Sequence, residues 1–212
     1  MARLRDPDMV NCFGEPLKPE EYKSLVKCLD SAQLGVDTCL VDGLPALQEH
    51  LIKYCRAVAA SQTDDLELVE GAMLLIEQLS MSLGQAVPPE GSQPRFSGQW
   101  QMLVATGGGW PYGRLQYVPI IELLEVSEDG QRFRLESKAG PLYTSAVGNV
   151  TWVRPPNRLQ YHVTDFRVEL LGASLGVPAP APDNELLVFA SAPGIALARS
   201  AAGGMTLMGQ PV

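Results

Sequence analysis

In the first 83 residues the hydrophobic positions recur at helical spacing. Tyr22, Leu25, Val26 and Leu29 fall at i, i+3, i+4 and i+7, with Pro19, Glu20 and Glu21 in the first turn, so a short amphipathic helix is expected over residues 19–29. Asp42 can cap a second helix, in which Leu44, Leu47, Leu51, Tyr54, Cys55 and Val58 form one stripe. A third begins at Thr63, Asp64 and Asp65 and carries Leu66, Val69, Met73, Ile76 and Leu83, ending before Gly84. Residues 84–95, rich in Pro, Gly, Ser and Gln, read as a linker.

After Phe96 the period changes. Short runs of β-branched and aromatic residues at 99–106, 113–121, 131–137, 146–153 and 159–171 read as strands. Residues 128–130 and 155–157 have turn chemistry. Alternation is plain where Leu159, Tyr161 and Val163 interleave with Gln160, His162 and Thr164. After a second flexible stretch at 178–183, further strands are expected at 185–190, 194–198 and 204–208. Seven or eight short strands after helices predict an α+β chain ending in an antiparallel barrel or sandwich. The expected organisation is a helical extension over 1–62, then a domain over 63–212 with entry helix 63–83, linker 84–95 and barrel 96–209.

Charge and cysteine sharpen the division. The 212-residue chain carries a net charge of −8, and fifteen of its twenty-four acids lie in residues 1–95. Such a balance argues against a nucleic-acid partner, which needs clustered Lys and Arg. Cys12, Cys28, Cys39 and Cys55 are nested about one centre. If the first two helices form an antiparallel hairpin, Cys28 would face Cys39 and Cys12 would face Cys55, and two disulfides would staple it. The other reading is four free thiols serving as small apolar residues. No pair has the short spacing of a tetrathiolate zinc site, and no metal is expected.

Catalytic parts are few. His50 and His162 are the only histidines, and no nucleophile motif, Walker loop, zincin helix or dinucleotide fingerprint accompanies them, so no enzyme is expected. Asn149-Val-Thr reads as strand rather than as a glycosylation site, and no apolar run is long enough for a spanning helix or secretory signal. Gly107, Gly108 and Gly109 precede Trp110, Pro111 and Tyr112. That segment is either a hairpin loop or a loop docking Trp110 and Tyr112 on a lipid or partner. Arg199 either ties strand ends together or meets a ligand headgroup.

Three segments carry a family resemblance. Leu74-Leu-Ile-Glu-Gln-Leu, a linker and Phe96-Ser-Gly-Gln-Trp-Gln-Met-Leu resemble the barrel entry of the plastid lipid-associated proteins, also called fibrillins or plastoglobulins. Gly98 and Trp100 also resemble the lipocalin pair in which glycine permits a bend and the indole plugs the barrel floor. Gly148-Asn-Val-Thr-Trp with residues 157–172 is similar to a late family hairpin, and residues 194–208, containing Arg199 and a Gly-rich turn, resemble the closing signature. Two departures stand out: Ala190-Ser-Ala-Pro-Gly replaces an acidic cluster before Arg199, and Ser200 replaces a glycine after it. The resemblance, over residues 66–209, implies a lipocalin-like barrel in a non-enzymatic plastid protein. It implies an apolar ligand, such as a lipid, carotenoid, chlorophyll, tocopherol or quinone, or a thylakoid lipid surface, with Trp100, Trp110, Tyr112 and Arg199 as candidate contacts. The alternative is an accessory subunit docked to a photosystem or antenna complex. Either would sit peripherally at the thylakoid, in the lumen if the cysteines are bonded and in the stroma if they are not.

Overall fold

A computed structural model describes residues 6, 8–31, 34–36, 43–83, 96–106, 113–153, 158–175 and 184–211. Helix α1 spans Pro19–Asp30, α2 Leu44–Ser61 and α3 Leu66–Ser82. Ten strands follow: β1 Gly98–Thr106, β2 Leu115–Tyr117, β3 Ile121–Val126, β4 Arg132–Ala139, β5 Leu142–Val153, β6 Arg158–Leu170, β7 Ala173–Leu175, β8 Asn184–Ala192, β9 Ile195–Ser200 and β10 Met205–Gly209. Pairing runs β10-β9-β8-β6-β5-β4-β3-β1, all antiparallel, and β1 pairs β10, closing an eight-stranded barrel with β2 and β7 as additions on β1 and β6. Closure leaves the eight barrel strands without a free sheet edge. The chain is therefore α+β with an antiparallel barrel, as its changing hydrophobic period predicts.

The helices start where the local chemistry permits. Glu21 in the first turn of α1 accepts from the Lys18 N–H at 2.9 Å, and Asp65 caps α3 by accepting from the Glu67 N–H at 2.9 Å. Gly43, at φ +95°, occupies the N-cap of α2, and the expected cap, Asp42, lies outside the described residues.

The order of packing differs from the hairpin expected for the first two helices. Helix α3 is central, and α1 and α2 both pack on it. Its side chains from Leu68 to Ser80 are buried nearly throughout, because neighbouring helices and the barrel leave it little solvent face. The α1 contact depends on Gly71: a Cβ there would sit 2.1 Å from the Ser24 carbonyl oxygen and 2.6 Å from the Cys28 Cβ. Gln48 of α2 donates to the Ser80 hydroxyl of α3 at 2.8 Å, a buried bond on the other side.

Two apolar cores result. One lies between the helices and the outer faces of β1, β8, β9 and β10, joining Leu25, Leu51, Leu74, Phe189, Leu197 and Leu207. The other lies on the inside of the barrel and joins Phe96, Trp100, Phe133, Val150, Val188 and Met208. Along β9, Ile195 and Leu197 face the helices while Ala196 and Ala198 face the interior. Both faces of β9 and β10 are therefore buried, which explains why their sequences run apolar without alternation.

Most strand boundaries lie within two residues of those expected, but β3 beyond Ile121 and β7 were not expected, and β5 begins four residues before the expected start at 146. Residues 113–121, read as one strand, are β2 followed by a break around Pro119 and the start of β3. Strand β3, Ile-Glu-Leu-Leu-Glu-Val, lacks clean alternation because Glu122 takes the interior phase shared by Leu124 and Val126.

Gly71→Ala is expected to lower stability by about 1–3 kcal/mol, since the methyl group meets backbone rather than a movable side chain. A urea midpoint equal to that of the parent protein would contradict the close α1–α3 approach.

Candidate functional site

The barrel interior is built in layers, read directly from strand register. Gly98, at φ +89°, allows the turn into β1, and Trp100 stacks on Phe96 with ring centroids 5.2 Å apart. The indole N–H donates to the Ser97 carbonyl at 3.2 Å. Trp100 thus lies buried at one end of the barrel beside Val126 and Phe133. Moving along the strands, Leu124, Leu135, Ala146 and Phe166 align across β3, β4, β5 and β6. The next aligned set is polar: Glu122, Ser137 and Thr144, with Val168 beside them. Ser137 Oγ donates to Glu122 Oε1 at 3.4 Å, and burial pushes the Glu122 carboxyl above its usual range, against the lowering effect of that bond.

Beyond this set the interior phase continues to a rim. Leu142 and Leu170 pair directly across β5 and β6, and both are exposed. Leu171 follows in the turn to β7, 82% exposed, with its N–H donating to the Pro141 carbonyl at 3.1 Å. Its φ is +53°, a left-handed conformation disfavoured for a bulky side chain. Ile121 is exposed at the same end. Leu135, Phe166 and Met102, partway in, are only partly buried.

Arg199 faces the other way. It is fully buried between barrel and helices, with Nε and Nη2 donating to the two Glu77 carboxylate oxygens at 2.8 and 2.9 Å. Nη1 donates to Glu21 Oε1 at 2.8 Å and to the Gly203 carbonyl at 3.0 Å. Burial opposes its charge, but the bonds and charges of Glu77 and Glu21 outweigh that and raise its pKa. Of the two roles open from sequence, Arg199 takes a structural one, and it ties β9 to α1 and α3 rather than strand ends to each other.

The cysteines are placed differently from a stapled hairpin. Cys12, Cys28 and Cys55 are free thiols, so neither a Cys12–Cys55 nor a Cys28–Cys39 bond forms; the insertion of α3 between α1 and α2 breaks the symmetry that suggested them. Burial pushes Cys28 up to about 12, and Cys55 to about 12 as well, with Cys28 adding to it. Burial and the neighbouring Glu77 raise Cys12 further. Cys39, Trp110 and Tyr112 lie outside the described residues. His50 holds the Leu34 carbonyl at 2.8 Å, and His162 is exposed on the outer face of β6. Among the described residues there is no cluster of His, Cys, Asp and Glu suited to a metal.

A separate cleft of about 520 Å³ lies between α1, α3 and the start of β2, lined by Lys18, Glu20, Lys23, Glu67, Glu70 and Arg114 among others. Two of its acids are engaged: Lys23 and Lys27 bridge to Glu67, and Ser24 donates to Glu70 at 2.6 Å.

Sequence reasoning missed Glu21, Glu77, Glu122 and the leucine rim. A signal existed for Glu77, a lone acid within the apolar run of α3, which demands a buried cation. Glu122 had one too, as the residue that spoils the alternation of β3.

Arg199→Met is expected to cost about 3–5 kcal/mol by leaving two buried carboxylates unpaired, and adding Glu77→Leu should recover part of it. Equal urea midpoints for parent and Arg199→Met would contradict the assignment. Iodoacetamide at pH 8 should label Cys28 and Cys55 slowly in the native protein and rapidly in urea without reductant; failure to label in urea would reveal a disulfide. Compared with protein-family models, curated proteins and solved structures, the chain matches none.

Proposed function

We propose that this chain is a non-enzymatic, lipocalin-like carrier that holds an apolar molecule in its barrel and receives it from a lipid surface at the open rim. The observation that carries this reading is the continuity of the interior phase of β5 and β6 with exposed Leu142 and Leu170 and the adjoining Leu171. An apolar lip above a single polar row, with apolar layers beneath it, gives a water-insoluble molecule a surface from which to enter. Leu171 strengthens the reading, since a left-handed turn position suited to Gly or Asn is held by a leucine that packs on little of its own chain.

Among the described residues the helices pack on the outer faces of β8–β10 and β1, away from β5 and β6 where Leu142 and Leu170 stand. No helix among the described residues is long and apolar enough to cross a membrane, so contact through the rim would be peripheral. The resemblance at Gly98–Trp100, 148–172 and 194–208 supplies the setting: a plastid, with a lipid, carotenoid, chlorophyll, tocopherol or quinone as the cargo. The free thiols suit the reducing stroma rather than the lumen. In the competing reading, an accessory subunit of a photosynthetic complex, the same rim would be buried by protein.

Flotation with phosphatidylcholine vesicles tests the rim. Leu171→Asp, at an exposed turn tip, is expected to weaken vesicle binding about tenfold or more while leaving the unfolding free energy within about 0.5 kcal/mol of the parent. Pigment and lipid analysis of the native protein should find one apolar molecule per chain. An empty barrel in a protein that co-purifies with a membrane complex would favour the subunit reading instead.

A further inference from the structure

The polar set one layer inside the rim makes a demand on the cargo. Glu122, Ser137 and Thr144 stand in one row across β3, β4 and β5, with apolar Leu124, Leu135 and Ala146 in the row beneath. Glu122 is the one charged side chain on the interior phase of the described barrel strands. Nearby Lys138 pairs with Ile121 and Tyr143 in the alternate, outward phase, and Arg167 is outward beside Asp165 at 3.1 Å. No Lys or Arg among the described interior positions could therefore neutralise a second carboxylate.

We propose that Glu122, Ser137 and Thr144 form a headgroup collar that selects an uncharged, hydroxyl-bearing amphiphile over a fatty acid. A hydroxyl can donate to the Glu122 carboxylate, which already accepts from Ser137 at 3.4 Å, and accept from Thr144, adding bonds to the row that an entirely apolar cargo could not make. A carboxylate headgroup would instead place two like charges in a partly dehydrated mouth. The tail would run past Leu135 and Phe166, which are only partly buried. This inference rests on the carrier reading and adds the chemistry of the cargo's polar end.

The test uses the full chain at pH 8 and displacement of a fluorescent apolar reporter by hexadecan-1-ol or hexadecanoate. The parent protein should bind the alcohol at least about tenfold more tightly than the acid, and Glu122→Gln should narrow that ratio to within about threefold, chiefly by improving the acid. Ser137→Ala with Thr144→Val should weaken the alcohol several-fold and leave the acid unchanged, a readout that stands if Glu122→Gln does not fold. Equal affinity for the two probes, or a ratio insensitive to both sets of changes, overturns the collar while leaving the carrier intact. Reporter that never enters the barrel overturns both.

Discussion

The buried guanidinium of Arg199 is the constraint around which the fold is arranged. Four of its hydrogen bonds reach Glu77 of α3, Glu21 of α1 and the Gly203 carbonyl, so one side chain of β9 fixes two helices against the barrel. Burying three charges is costly, and apolar residues of the same volume could fill the space as well. The ion cluster adds geometry. Apolar contacts such as Leu74 on Leu197 tolerate sliding, whereas a guanidinium holding Glu77 through both oxygens does not. Glu21 also binds the Lys18 N–H, and Glu77 accepts from the Cys12 N–H at 3.1 Å, so the start of α1 and the segment before it are fixed by the same two carboxylates.

This arrangement makes the barrel asymmetric. Strands β9 and β10 are buried on both faces and β8 and β1 in part, while β3 to β6 keep an outer face in solvent. The long β5 and β6 extend beyond the helix-covered part and carry the rim leucines. Because Arg199 and its partners lie wholly outside the barrel wall, the interior is left to apolar side chains and the single polar row at its mouth. The ion cluster and the polar row thus occupy opposite sides of the barrel wall, Arg199 facing outward from β9 and Glu122 lying on the interior phase of β3.

Much of this was legible in the chain because it is local. The switch from a 3.6-residue to a two-residue period gave the helices and strands, and alternation in residues 159–163 is the interior and exterior of β6. Other features were not local. Arg199 is 122 residues from Glu77 and 178 from Glu21, a separation that no spacing rule reaches. The cysteine symmetry described a two-helix hairpin and could not register a third helix entering between its arms. Strand β3 was obscured by Glu122, where a carboxylate stands in place of an apolar residue on the inner face. The leucine rim was hidden because Leu142 and Leu170 keep the interior phase of their strands, and only the length of those strands carries them past the wall.

Hydrogen–deuterium exchange of Arg199→Met against the parent protein tests the central claim most directly. If the buried guanidinium holds the helices on the barrel, amides of α1, α3 and the β9–β10 pair should lose protection together, while β4, β5 and β6 keep theirs. Protection lost uniformly over the chain, or unchanged in α1 and α3, would contradict that account.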